Sequence, residues 1–374
     1  MMNASGAPVR QSSVRAHNLA LVLHTVSNGA DQPSRAGISA ATGLTRATVS
    51  ALVDDLIASG LLIELEPAPR TGAGRPAAGL ALAPDGPAGL GLEINVDYLA
   101  ACVVDFTGSV RHRVVARADQ RPLSPESALT ALGAVAARAR DEAAADGLAV
   151  AGAALAVPGL VTPEGLVRVA PNLGWQDVDA AALLRTVPAL AGLPIAVDNE
   201  ANLAALGELR AGGGGGQSFL YVSGEVGIGA GIVLDGELYR GGRGWSGEIG
   251  HVTVYPGGRP CRCGANGCLE QYAGQEAMNA DAGSAAAALG IALSAVVNLL
   301  DIDVIVLGGS YAPAFARLRA GIEAELRLRV LTAGLAPVTL RAATLGADAA
   351  MRGAADAVIR GVRENPAAWS SRLG

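Results

Sequence analysis

The stretch GEIGHVTVYPGGRPCRCGANGCLE, from Gly247 to Glu270, holds one histidine and three of the four cysteines of the chain. Four soft or borderline metal ligands within eighteen positions are typical of a closed tetrahedral zinc site, and thiolates disfavour calcium and magnesium. Gly264 and Gly267 supply the tight turns that bring such ligands together. The alternative is a set of reduced core cysteines beside an unrelated histidine. The stretch predicts a structural zinc ion held by His251, Cys261, Cys263 and Cys268.

Strands alternate with helices on both sides of this stretch. The pattern includes a helix over 124–145, a buried strand over 148–157, a helix over 285–300 and a strand over 304–307. Such alternation after the turn-rich segment Pro84–Pro87 predicts an α/β region of two lobes. We expect one domain over 1–88 and a second over 89–374, in which a small lobe spans about 89–197 plus a C-terminal helix at 346–374, and a large lobe about 198–345.

Composition narrows the possible functions. The chain has 374 residues, 51% of them hydrophobic, and a net charge of -6, so a surface coated with positive charge for non-specific nucleic-acid binding is excluded. It contains no lysine, which excludes Schiff-base chemistry and a Walker lysine. The N-terminus lacks an apolar export signal, and the longest apolar stretch, 285–300, is shorter than the roughly 20 residues of a membrane span. These features predict a cytoplasmic protein without a membrane partner.

The first ninety residues carry the pattern of a winged helix-turn-helix. Apolar residues recur at helical spacing over 19–26 and 49–56, and between these helices a short segment over 35–41 ends at Thr42-Gly43-Leu44. Strands over 61–65 and 79–82 would form the wing. Four arginines face one aspartate between Met1 and Val53, a local balance of 4 - 1 = +3. The alternative is a small helical domain that binds protein or nothing. The predicted DNA-contacting residues are Arg35, Thr45, Arg46, Thr48, Ser50 and Arg75, with Arg46 as the base reader.

Several motifs together resemble those of the ROK family of repressors and sugar kinases. They include GEIGH at Gly247, CRCGANGCLE at Cys261, VDNEAN at Val197 and GADAA at Gly346, in the order of the family. The resemblance implies an actin-like, hexokinase-type (ribonuclease H-like) fold in which two lobes hold a sugar and a zinc ion braces one wall. By position, the implied sugar contacts are Gly159, Asn172, Asn199, Glu200, Glu248, His251 and Glu270.

The two phosphate-binding loops depart from the kinase pattern. ROK kinases carry Asp-x-Gly-Gly-Thr in the first loop, where this chain has Glu93-Ile94-Asn95-Val96-Asp97. In the second loop, Gly-Thr-Gly is replaced by Gly224-Glu225-Val226. Bulky side chains block the backbone approach that phosphate requires, and carboxylates repel it. We therefore expect a degraded ATP site.

Two further departures concern the kinase base and the large lobe. Glu200 stands where the kinases have their catalytic aspartate, and a carboxylate displaced by about 1 Å can slow a reaction about a hundredfold. The helical insertion that family members carry after Glu270 is shortened.

The sequence thus predicts a sugar-responsive regulator, a repressor without catalytic residues, that binds a palindromic double-stranded operator as a homodimer or tetramer. The rivals are a sugar kinase with an appended DNA-binding domain and a regulator that answers to a partner protein.

Overall fold

The computed structural model describes residues 11–29, 32–66, 78–212 and 217–373 and gives them an α/β fold. Its N-terminal region is a winged helix-turn-helix, in which two short strands pair antiparallel. Arg75, predicted to contact DNA, lies outside the described residues. The elements of this region are α1 (Gln11–Asn28), α2 (Arg35–Thr42), α3 (Arg46–Ala58), β1 (Leu62–Glu64) and β2 (Leu80–Leu82).

Local signals set the turn between α2 and α3. Gly43 follows α2 with a φ of 74°, a left-handed conformation that glycine adopts without steric penalty. Thr45 caps α3, because its side-chain oxygen accepts a hydrogen bond from the backbone N–H of Thr48 at 3.2 Å. The predicted cap is confirmed. The core face of α3 consists of Val49, Leu52, Val53 and Leu56, all buried.

The small lobe is built on a five-stranded sheet with the strand order β10-β6-β3-β4-β5. β3, β4 and β5 form an antiparallel meander, and β6 and β10 add parallel strands. The elements of this lobe are β3 (Ala88–Ile94), β4 (Tyr98–Val104), β5 (Val110–Arg117), α4 (Pro125–Ala145), β6 (Val150–Val157), β7 (Leu160–Val161), β8 (Val167–Ala170), β9 (Trp175–Val178), α5 (Ala180–Arg185) and β10 (Ile195–Asn199).

A second sheet repeats this plan in the large lobe. Its order is β13-β12-β11-β14-β15, again a three-stranded antiparallel meander followed by two parallel strands. Helix α6 (Glu200–Ala211) leads into it from the small lobe. The other elements are β11 (Phe219–Gly224), β12 (Ile228–Leu234), β13 (Glu237–Tyr239), α7 (Glu270–Ala273), α8 (Gln275–Ala280), α9 (Ala282–Leu300), β14 (Val304–Gly309), α10 (Tyr311–Arg329) and β15 (Thr339–Ala342).

Two C-terminal helices complete the chain. α11 (Ala349–Glu364) returns to the small lobe, packs on β3 and β6, and also lies against α6. α12 (Pro366–Leu373) contacts α1 of the winged helix. The two repeated sheets with α6 and α11 between them give the actin-like architecture that the resemblance to the ROK family implied.

Within the described ranges, one helix has the length and composition of a membrane span. α9 has a mean hydropathy of 1.8, and half of it is buried inside the protein. Its buried side packs in the core of the large lobe, where Leu289 and Leu293 are fully enclosed. The high hydropathy of α9 is therefore explained by its place in the core of the large lobe.

Candidate functional site

The four predicted zinc ligands come together at the edge of the large lobe. Their ligand atoms all lie within 4.8 Å of one another. Cys263 Sγ lies 3.6 Å from Cys268 Sγ, and Cys261 Sγ lies 3.8 Å from His251 Nδ1. Zn–S bonds of about 2.3 Å at tetrahedral angles place the ligand atoms roughly 3.5–3.8 Å apart. The donor set and its spacing therefore fit a four-coordinate zinc ion.

Glycines let the metal loop fold so tightly. Gly264 has a φ of 94°, in the left-handed region, and its N–H donates to the carbonyl of Cys261. A Cβ on Gly267 would lie 1.8 Å from the carbonyl oxygen of Tyr255, so no larger residue fits there. His251 stands three residues after Glu248, and Cys268 two residues before Glu270. A bound metal would hold both of these carboxylates in place.

The predicted sugar contacts from the two lobes meet near Gly227. A Cβ on Gly227 would lie 2.7 Å from Glu270 Oε2 and 3.5 Å from Asn172 Nδ2. Asn172 belongs to the small lobe and Glu270 to the large lobe, so side chains of both lobes meet at this point. Glu248 is exposed to solvent on one side. Partial burial raises the pKa of its carboxyl group, the Coulombic effect of His251 opposes this rise, and that of Glu270 adds to it. The cleft thus presents an amide and two carboxylates suited to sugar hydroxyls.

Two of the predicted sugar contacts hold each other. Asn199 Nδ2 donates to the carbonyl of Gly159 at 2.9 Å. Asn199 Oδ1 caps α6 by accepting the backbone N–H groups of Ala201 and Asn202 at 2.8 and 3.1 Å. The oxygen and one N–H of this amide are therefore committed within the protein. A direct contact between Asn199 and a sugar therefore stays a prediction. Within the protein, Asn199 caps α6 and holds Gly159 in position.

Glu200 lies next to Asn199 in the same cleft. Burial raises its pKa to about 8, and the Coulombic effects of Glu93, Glu225 and Glu248 add to the rise. At neutral pH this group is largely protonated, so it is a weak base for taking a proton from a sugar hydroxyl.

The first phosphate loop is closed by its own side chains. Glu93, Asn95 and Val96 are 3%, 5% and 4% exposed. Tyr98 donates its hydroxyl to Glu93 Oε1 at 2.5 Å, while Oε2 has no hydrogen-bond partner among the described residues. Burial raises the pKa of Glu93 to about 7; the Tyr98 hydrogen bond opposes this and Glu225 adds to it. Sequence reasoning missed Tyr98, although its position across the β3–β4 turn was a signal.

The second phosphate loop places Glu225 against the end of β14. A Cβ on Gly309 would lie 2.7 Å from Glu225 Oε1, so the carboxylate reaches that backbone. Burial raises the pKa of Glu225 to about 7, and the carboxylate of Asp97 from the first loop adds to the rise. Both altered loops therefore contribute acidic groups to the same half of the cleft.

These carboxyl groups predict a pH dependence of stability. Glu93 has a pKa of about 7 in the folded state and 4.5 ordinarily, so the folded state binds more protons between these values. The stabilising contribution is complete below pH 4.5 and is lost as the pH rises through 7. We expect the melting midpoint of Glu93→Gln to fall less than that of the wild type between pH 5.5 and 8. Calorimetry at both values measures this, with exposed Glu276→Gln as control; parallel curves for all three proteins would contradict it.

The predicted DNA-contacting side chains divide into two groups. Arg46, Thr45, Thr48 and Ser50 lie at the N-terminal end of α3, where Thr45 and Arg46 are exposed. Arg46 forms no ion pair or hydrogen bond with any described residue. Arg35, by contrast, lies 2.7 Å from Asp54 and 2.8 Å from Glu64, and donates to the carbonyl of Ser50 at 3.1 Å. Arg35 therefore joins α2 to α3 and the wing.

This pairing corrects the predicted local charge of +3. The count ended at Val53, and the next two residues are Asp54 and Asp55. Arg15 pairs with Asp55, and Arg35 with Asp54. The positive charge available to DNA within the described part of this domain is thus concentrated on Arg46.

Comparisons with known proteins agree with this architecture. A model of the ROK family matches residues 89–288, more than half of the chain. The xylose repressor of Caldicellulosiruptor bescii is 35% identical over 263 residues, which cover 70% of this chain and 64% of that protein. The alignment thus spans somewhat less than two thirds of the relative. The chain belongs to the ROK family.

Two solved structures place the fold more closely. A ROK family transcriptional regulator, a homologue of the E. coli MLC protein, superposes with a TM-score of 0.81 and 23% identity, over 96% of this chain and 100% of that one. A ROK family glucokinase from Streptomyces griseus, solved with glucose and AMPPNP, superposes with a TM-score of 0.63 and 26% identity, over 72% and 98%. The regulator covers the winged helix as well, whereas the glucokinase covers only about three quarters of this chain.

Proposed function

We propose that this protein is a transcriptional repressor that releases its DNA operator when a sugar binds between its lobes. One observation carries the proposal: a winged helix whose α3 carries Arg46, without a partner among the described residues, shares a chain with a sugar-kinase fold whose sugar side is polar and whose phosphate side is acidic. The similarity to a xylose repressor makes D-xylose the first sugar to test.

The sugar would lie on the side of Asn172, Glu248 and Glu270. A zinc ion on Nδ1 of His251 would leave Nε2 free to face a sugar hydroxyl, so the metal would fix the tautomer of this ring. The metal would have a structural role, because four protein ligands would leave no open position for a catalytic water.

Phosphoryl transfer is disfavoured by the charges of the other half. Asp97 and Glu225 stand in the two loops that hold phosphate in the family pattern, and the charge of Glu225 acts on Glu93 while that of Asp97 acts on Glu225. Two like charges at 4 Å repel by about 1 kcal/mol in water and about 4 kcal/mol at an effective dielectric constant of 20. Because the pKa values of Glu93 and Glu225 are about 7, their share of this repulsion grows as the pH rises through 7. We infer that the chain binds sugar without acting as a kinase.

A repressor acts on DNA, so the same proposal implies a cytoplasmic protein. It also implies that several copies of the chain assemble on one operator. A winged helix reads one half-site, and two half-sites one turn apart lie about 34 Å from each other. A homodimer on a palindromic operator would therefore read both half-sites, with a tetramer as the alternative assembly.

A sugar kinase with an appended DNA-binding domain is the second candidate. It is favoured by the likeness to a glucokinase and by Glu200, a carboxyl group at the position of the kinase base. Its prediction is turnover at an ordinary kinase rate, about 1–1000 per second.

A paired binding and turnover experiment tests the proposal. Fluorescence anisotropy with labelled DNA from upstream of the coding sequence should give an operator Kd that rises about 5- to 150-fold with saturating D-xylose. Sorbitol, which lacks the sugar ring, is the control. A coupled assay with ATP and D-xylose or D-glucose should show no turnover. Unchanged DNA affinity under a panel of sugars would contradict the repressor proposal, and kinase-like turnover would favour the second candidate.

A further inference from the structure

The winged helix and the small lobe share one hydrophobic core. Residues of α1, α2 and α3 pack in the same cluster as β4 and α11, and Trp369 of α12 closes it. Trp369 is 9% exposed, and its Nε1 donates to the carbonyl of Ser59 at the end of α3, at 3.2 Å. A single indole N–H thus joins α12 to the helix that carries Arg46.

The other contacts of α12 and its neighbour lead to the small lobe. Arg372 Nη1 donates to the carbonyl of Ala151 on β6 at 3.1 Å. Arg363 of α11 stacks over the Phe106 ring at 5.2 Å and donates to the Phe106 carbonyl. α12 is therefore bound to the DNA-binding domain through Trp369 and, three residues further on, to the sheet of the small lobe through Arg372.

Near the N-terminal end of α11, its backbone crosses that of α6 at a contact formed by one glycine from each helix. A Cβ on Gly353 would lie 1.7 Å from the carbonyl oxygen of Leu203, and one on Gly207 would lie 2.7 Å from that of Ala349. The two helix backbones thus touch without side chains between them. Because α6 packs on β12 of the large lobe and α11 on β3 of the small lobe, this crossing connects the two lobes.

α6 begins in the sugar cleft. Asn199 caps it and holds Gly159, and Glu200 is its first residue. A change of lobe angle on sugar binding would therefore move α6 directly, and the glycine contact would pass that movement to α11.

There is room for α12 to shift. A groove of about 390 Å³, open to solvent, lies between α11, α12 and the strands β6 and β10, and Pro194, Ile195, Val358 and Trp369 line it. The walls are mostly apolar, and Arg372 is the charged residue among them, so a displacement of α12 would change the hydrogen bond from Arg372 to Ala151. Trp369 is the only residue of this wall whose side chain donates a hydrogen bond to a described residue of the winged helix.

We propose that α11 and α12 form a lever that pivots on the Gly207–Gly353 contact and transmits lobe closure to the winged helix through the hydrogen bond from Trp369 to Ser59. Trp369 is then a positioning residue: it touches neither sugar nor DNA and sets the orientation of α3. The proposal rests on the proposed function for its physiological signal, and its mechanical part stands independently of which sugar binds.

The first test uses the protein without sugar or DNA. Trp369→Phe keeps a buried ring and removes the indole N–H. A lever predicts that amide hydrogen exchange becomes at least about threefold faster at 349–355 of α11 and at 200–207 of α6, far from the substitution. Trp175→Phe is the matched control, because Trp175 is 2% exposed and its Nε1 has no partner among the described residues. Exchange that changes only in α12 and residues 11–66 would overturn the lever.

The second test measures coupling. With D-xylose as probe, the ratio of operator Kd with and without sugar should fall at least about fivefold in Trp369→Phe, while xylose affinity stays within about twofold of the wild type. Arg372→Gln, which removes the hydrogen bond from α12 to β6, should lower the ratio as well, and Trp175→Phe should retain it. An unchanged ratio in both α12 variants would overturn the proposal. A wild type that ignores xylose counts against the proposed function alone, and the exchange measurement then decides the lever.

Discussion

Replacing Cys268 with serine is expected to remove the metal and lower the melting midpoint by about 6–12 °C. The lost ligand is buried, and a structural zinc contributes folding free energy directly; we take a contribution of at least about 3 kcal/mol, at about 2–4 °C for each kcal/mol. The segments that carry Glu248 and Glu270 would no longer be held together. We therefore also expect the affinity for D-xylose to fall at least about a hundredfold, a loss of about 3 kcal/mol. Elemental analysis, calorimetry and titration with the sugar measure the three effects.

Cys102→Ser provides the matched control for this substitution. Cys102 is also buried, but it lies on β4 and its Sγ contacts the Met351 carbonyl at 3.4 Å, away from the cluster. This variant should keep one zinc ion per chain and the wild-type affinity for the sugar, even if its melting midpoint changes. If Cys268→Ser kept both the metal and the affinity, the cluster would not be the metal site.

Arg46→Ala is expected to weaken operator binding about 5- to 150-fold, which corresponds to about 1–3 kcal/mol for a base-reading arginine. Arg46 is exposed at the N-terminal end of α3, the part of a recognition helix that enters the major groove. It has no partner among the described side chains, so its removal should leave the melting midpoint unchanged. Anisotropy titration with the upstream DNA and a thermal scan of the same preparation measure the two quantities.

Arg35→Ala is the informative comparison. Its guanidinium pairs with Asp54 and Glu64, which join α2, α3 and β1. Loss of these pairs should lower the melting midpoint and, at a temperature where the domain is folded, should reduce DNA affinity less than Arg46→Ala. If Arg35→Ala caused the larger loss of affinity with no loss of stability, Arg35 would be the DNA contact and Arg46 would not.

Features fixed by neighbouring residues were the ones that sequence reasoning could find. The turn at Gly43 and the cap at Thr45 depend on backbone geometry within a few positions, and the structure confirms both. The metal cluster was visible for the same reason, because its ligands fall within eighteen positions. The two-lobed fold followed from the alternation of strands and helices together with the family motifs.

Contacts between distant residues could not be found in this way. Arg35 was predicted as a DNA contact. Its pairing with Glu64 could not be read from the sequence, because Glu64 lies 29 positions further along the chain. The amide of Asn199 resembled a free sugar contact, since its bond to Gly159 depends on how β6 and β10 pair. The contact between Trp369 and Ser59 spans 310 positions, and no local pattern announces it.

The core that joins the winged helix to α12 bears on the design of chimeric regulators. Leu19, Leu23 and Leu56 of the N-terminal helices pack in the same cluster as Ile359 and Trp369. A fusion that transplants residues 11–82 alone onto a foreign sensor would leave that apolar surface facing water and invite aggregation. A graft intended to fold should carry 349–373 as well, so the transferable module is discontinuous in sequence.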